Sequence, residues 1–119
     1  MKVDKAEVLR RSPLFEMLSE AEIDALAELS RPRTFAAGEV VFSEGDAGDA
    51  LFVLARGEVE VLARAPSGEE RALALLSPPA AFGEMSLIDR EVRSATVRAR
   101  TECLALQLGA ENFTTFRRR

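Results

Sequence analysis

The sequence contains no histidine and only one cysteine, Cys103. Without histidine there is no imidazole for a zinc site, for a serine–histidine hydrolase or for the metal centre of a cupin-type enzyme. A metal site would have to be all-carboxylate, and no spacing of Asp and Glu suggests one. One thiol forbids an intramolecular disulfide, and Cys103 lies in an alternating apolar run, which reads as a buried structural thiol. No apolar run approaches membrane-spanning length and no secretory signal opens the sequence, so the expected setting is cytoplasmic, with no membrane partner. Basic residues are not in excess. The 16 Lys and Arg stand against 20 Asp and Glu, a net charge of −4 that argues against nucleic acid as a partner. The Arg117-Arg118-Arg119 end is too short a basic run to change that. The expectation is a protein that is not an enzyme and carries no cofactor or metal.

A length of 119 residues, 47% of them hydrophobic and 30% charged, fits one soluble globular domain spanning 1–119. Residues 1–13 read as a short polar leader closed by Pro13. Ser19-Glu20-Ala21-Glu22 forms a capping box, and Ile23, Leu26 and Ala27 recur at helical spacing, predicting a helix over Glu20–Ser30. Phe15 and Leu18 are placed to staple its entry. After Pro32 the period shortens. Apolar runs at Thr34–Phe35, Val40–Phe42, Leu51–Leu54, Val59–Ala63, Ala72–Leu76, Ala95–Ala99 and Leu104–Leu108 alternate with Gly, Asp and Pro turns. Asp46 and Asp49 lie in such a glycine turn; they lack the ligand run of a calcium loop and read as turn caps. Many short strands at this spacing predict a mainly β protein, an antiparallel β-roll with flanking helices. Its parts are a helical lead over 1–31, a roll over about 32–108 and the start of a C-terminal helix over 109–119, where Phe113 and Phe116 stand one turn apart.

One stretch interrupts the roll: FGEMSLIDREVRSATVRA, Phe82 to Ala99. Gly83 permits a close approach that a side chain would block. Glu84 to Ile88 is long enough for one helical turn, whose first N–H groups make an anion site. Arg93, nine residues after Glu84, can reach back over that turn with a planar fork of donors suited to two phosphate oxygens. Ser94 adds a hydroxyl. Glu84 is acceptor-only when ionised, so it needs a donor such as a sugar hydroxyl. A phosphate with a ribose hydroxyl beside it describes a nucleotide. No nucleophile or general base accompanies them.

The motif Phe82-Gly83-Glu84 followed by Arg93-Ser94-Ala95-Thr96-Val97 resembles the phosphate-binding cassette of cyclic nucleotide-binding domains. These occur in the bacterial catabolite activator protein, the regulatory subunits of cAMP-dependent protein kinase and cyclic nucleotide-gated channels. Upstream, GEVVFSEGDAGDALFVLARGEVEV at residues 38–61 is similar to the family's strand-and-turn signature. The resemblance runs from about Phe15 to Phe116, with a cassette over 82–97. It implies that Glu84 accepts from the ribose 2′-hydroxyl and that Arg93 pairs with the exocyclic phosphate oxygens. Backbone amides near Met85, Ser86, Ser94 and Ala95 would complete the phosphate cradle, and Val61 and Leu73 would line the purine.

Two departures stand out: Pro79 and Ala80 replace the family's usual glycine and acidic residue before the motif, and Val92 replaces its usual proline before the arginine. The implied function is a non-catalytic sensor of a 3′,5′-cyclic purine nucleotide, with a lean to cAMP over cGMP. Binding would be relayed through flanking helices to an effector that this chain does not contain; the expectation is a fragment of a longer protein, favoured over a stand-alone domain that acts on a separate partner protein. A homodimer is compatible with this reading. The alternative is a roll that has lost its nucleotide and serves as a dimerisation or docking module.

Overall fold

The computed structural model describes residues 3–48, 50–83 and 92–109. The expected cassette helix at Glu84–Ile88, the C-terminal helix with Phe113 and Phe116, and Asp49 lie outside the described residues.

The chain enters through α1 (Lys5–Arg11), where Asp4 caps by accepting from the Glu7 N–H at 3.1 Å and Leu9 is fully buried. This corrects the polar leader expected there. Seven residues are too few to display a helical repeat, and such a short helix stands by packing more than by propensity. Ser12 then caps a 3₁₀ turn, Pro13–Phe15, that drives Phe15 into the core. The expected capping box opens α2 (Glu20–Leu29): the Glu22 N–H donates to Ser19 Oγ, and the Ser19 N–H donates to Glu22 Oε1. Pro32 does more than end this helix. It lies inside β1 (Arg31–Phe35), an edge strand, where a missing N–H costs no ladder bond.

The strands that follow are β2 (Val40–Phe42), β3 (Ala50–Arg56), β4 (Val59–Arg64), β5 (Glu70–Leu76), β6 (Ala81–Phe82), β7 (Thr96–Ala99) and β8 (Cys103–Gly109). All named pairings are antiparallel, and they form two four-stranded sheets, ordered β1-β8-β3-β6 and β2-β7-β4-β5. The fold is therefore the antiparallel β-roll that the pattern predicts, with the two described α-helices, α1 and α2, ahead of it. β6 was not expected; two residues show no period.

Hydrophobic burial divides into two cores that share β3. Leu51 and Val53 face Leu9, Phe15, Ile23 and Leu26 of the helical lead, while Phe52 and Leu54 face the roll interior with Phe35, Val59, Phe82 and Val97. With both faces covered, β3 is continuously apolar and not alternating. β8 works the same way, sending Leu106 and Leu108 to the helices and Cys103 and Ala105 inward. The Cys103 thiol is buried as expected. β5, at the edge of the second sheet, is the opposite case: Leu73 is 62% exposed and Leu75 49%. Its pairing with β4 slips beside Leu73, a bulge of the kind that blunts an exposed edge.

Candidate functional site

Gly83 directly follows β6, and its φ of +90° is a backbone state that L side chains rarely adopt. Space forbids a side chain as well. A Cβ added there would stand 2.7 Å from Arg93 Nη1 and 3.1 Å from the Ala50 carbonyl oxygen. Glycine is thus required twice over, by conformation and by the arginine packed against it.

Arg93 is 4% exposed. Its Nη1 donates to the Gly83 carbonyl at 2.8 Å and its Nη2 to the Ala50 carbonyl at 2.6 Å. Its guanidinium carbon lies 4.0 Å from the centroid of the Phe42 ring. A cation taken out of water must be held by oriented dipoles, and two carbonyls with an aromatic face are such a set. The side chain thereby ties the end of β6 to the start of β3.

The backbone of Arg93 is fixed by the loop after β2. The Gly45 N–H donates to the Arg93 carbonyl at 2.8 Å, and the Arg93 N–H donates to the Asp46 carbonyl at 2.7 Å. Ala47 bridges Val92, and the Glu44 N–H donates to Thr96 Oγ1. Glu44 Oε1 also accepts from the Arg64 N–H at the end of β4. Asp46 caps the turn as expected, accepting from the Ser43 N–H. The Glu44-Gly45-Asp46 turn is therefore a clamp on the segment carrying Arg93 as well as a reversal of the chain.

Gly83 and Arg93 are brought together. Ser94 beside them is exposed and Ala95 half-buried. The Phe82 ring belongs to the core: it is 5% exposed and stacks on Phe52 at 5.4 Å. Val61 is half-buried and packs with Phe42 against the inner cluster, whereas Leu73 stands exposed at the β5 bulge. Glu84, Met85 and Ser86 lie outside the described residues. Of the two departures noted in the sequence, Val92 pairs with Ala47, and Ala80 closes a turn by donating to the Ser77 carbonyl. Sequence reasoning missed Phe42 and Ala50. Ala50 acts through its carbonyl, which no residue type advertises; an aromatic preceding the glycine turn was visible but had no partner assigned. Among the described residues no group of His, Cys, Asp and Glu is arranged to hold a metal ion, and no helix is long and apolar enough to cross a membrane.

A profile of the cyclic nucleotide-binding domain matches residues 32–119, spanning the roll and the segment just described. The chain belongs to the cyclic nucleotide-binding domain family. It is 38% identical to the cyclic AMP receptor protein of Thermus thermophilus over 93% of this chain and 51% of that protein. It is 35% identical to the cAMP-dependent protein kinase regulatory subunit of Emericella nidulans, over 88% of this chain and 25% of that protein. The regulatory domain of Toxoplasma gondii protein kinase A, solved with cAMP, superposes with a TM-score of 0.90 at 28% identity, covering 97% of this chain and 46% of that one. This family member thus spans about half the length of the first of these relatives, and less of the others.

Proposed function

We propose that this chain is a non-catalytic sensor domain that binds a 3′,5′-cyclic purine nucleotide, with Arg93 as the cation for the cyclic phosphate. The observation that carries the reading is a buried guanidinium held against Gly83, in a chain of the cyclic nucleotide-binding family. Arginine is rarely this buried unless it is paired, and its place at the end of a motif that resembles a phosphate cassette supports a role toward an anion. Glu84 accepts from the ribose 2′-hydroxyl, and amides near Met85, Ser86, Ser94 and Ala95 complete the cradle. Val61 and Leu73 meet the purine. Exposure of Leu73 supports this, since a residue that contacts ligand is open before the ligand arrives.

Both proposed purine contacts are apolar and carry no donor–acceptor code, so base discrimination is modest. cAMP is preferred to cGMP by no more than about tenfold, equivalent to about 1.4 kcal/mol. Binding biases the helices that flank the roll and, through them, an effector outside this chain. Calorimetric titration with cAMP, cGMP and ring-opened 5′-AMP tests this. Saturable binding of both cyclic nucleotides, with 5′-AMP much weaker, is expected. No binding of either cyclic nucleotide at millimolar concentration would favour a roll that serves only for docking or dimerisation.

A further inference from the structure

We propose that Phe42 is a positioning residue for the anion site, holding the Arg93 guanidinium from beneath so that it meets a phosphate in one orientation. This role belongs to the site proposed above and depends on the nucleotide-binding reading. Nothing in the glycine–glutamate–arginine motif includes Phe42; its assignment comes from contacts across the roll. The guanidinium carbon is 4.0 Å from the ring centroid, and Arg93 is 4% exposed, so the cation is desolvated where its attraction to a ring face is strongest. A second pair shows the contrast. Arg33 lies 5.2 Å over Phe35, but Arg33 is exposed, and water weakens such a contact.

The ring is itself held. Phe42 packs 6.1 Å from Phe52 and 6.1 Å from Phe82, which stack on each other, and Phe82 directly precedes the Gly83 that accepts from Arg93. Local backbone aims it. The pairing of β2 with β7 slips between Val40 and Phe42, and Val41 and Phe42 both pack against the inner cluster. A regular strand sends neighbours to opposite faces; an extra residue re-aims a side chain. Two carbonyls fix the guanidinium by its terminal nitrogens, and the ring closes one of its faces. An anion is left with the remaining approach.

The test uses Phe42→Leu and Phe42→Met, which keep an apolar side chain without a π face, and Phe42→Tyr, which keeps the face. Each is titrated with cAMP and with adenosine, which has base and ribose but no phosphate for Arg93. Expected is a loss of about three- to thirtyfold in cAMP affinity for the Leu and Met variants, with Tyr within about twofold of wild type. Adenosine affinity should not change. Unchanged cAMP affinity in Phe42→Leu, with wild type binding normally, overturns the role of Phe42 and leaves the nucleotide reading intact. Parallel losses of cAMP and adenosine also overturn it, reducing Phe42 to general packing. Failure of wild type to bind cAMP overturns both. One measurement needs no variant: the Arg93 guanidinium protons, by NMR without nucleotide, should be shifted upfield by the ring current. Resonances at ordinary positions contradict the placement.

Discussion

At the entrance to β7, Arg93 is 4% exposed and donates to the backbone carbonyls of Gly83 and Ala50. Farther along, within β7, Arg98 points to the outer face, opposite the inward Val97 and Ala99, with its side chain 34% exposed. It pairs with Glu60 at 3.1 Å and Glu70 at 3.4 Å. Both arginines follow a valine, and their immediate sequences look alike. What separates them is where the second sheet puts them. Arg98 meets carboxylates on the outer face, half-buried beside Glu60 and more open beside Glu70, where water and salt still reach and weaken the attraction. Arg93 has been drawn inside onto two carbonyl dipoles and a ring, and this buried cation is the one proposed for the phosphate. A cation's role is therefore read from what surrounds it, and the two can be broken separately.

The largest effect falls on the buried member. Arg93→Ala should weaken cyclic nucleotide binding by about 2–5 kcal/mol, roughly thirtyfold to several thousandfold, as measured by calorimetry. Because its guanidinium also ties β6 to β3, the melting temperature should fall too. Next comes the sugar. If Glu84 accepts from the 2′-hydroxyl as proposed, it loses its donor in a 2′-deoxy cyclic nucleotide, and wild type should bind that analogue more weakly by about 1.5–3 kcal/mol. Glu84→Gln should narrow the gap; equal affinity for both sugars in wild type would mean that Glu84 faces elsewhere. Gly83→Ala follows, costing about 1–3 kcal/mol of stability, since it strains φ and pushes a methyl onto Arg93 Nη1. A thermal melt superimposable on wild type would show that the Gly83–Arg93 contact is looser than it stands here. The smallest effect belongs to Arg98→Ala. Ion pairs that water still reaches are worth about 0.2–1 kcal/mol, so stability should change little and nucleotide affinity should stay within about threefold.

The same contrast shows what could be read in advance. The capping box at Ser19–Glu22, the short apolar runs separated by Gly, Asp and Pro turns, and the joint spacing of Gly83, Glu84 and Arg93 are local patterns, and they led to the helix, the roll and the candidate cation. The short helix α1 left a signal that was passed over: Asp4 and Glu7 stand at cap spacing, with Leu9 behind them, but one buried leucine does not make a periodicity. That Arg93 would also be a strut was not legible. Its acceptors are main-chain carbonyls, one of them 43 residues away at Ala50, and main-chain oxygens are the same in every residue. Phe42 escaped for a related reason. A strand slip turns it toward Arg93, and nothing in Val40-Val41-Phe42 announces a slip.

The most direct measurement is a matched titration of cAMP into wild type, Arg93→Gln and Arg98→Gln, with each variant's fold checked by circular dichroism. Saturable binding by wild type and Arg98→Gln, with Arg93→Gln weaker by at least about thirtyfold, is the expected result. Equal affinity of Arg93→Gln and wild type, or a larger loss in Arg98→Gln, would contradict the assignment of the buried arginine to the phosphate.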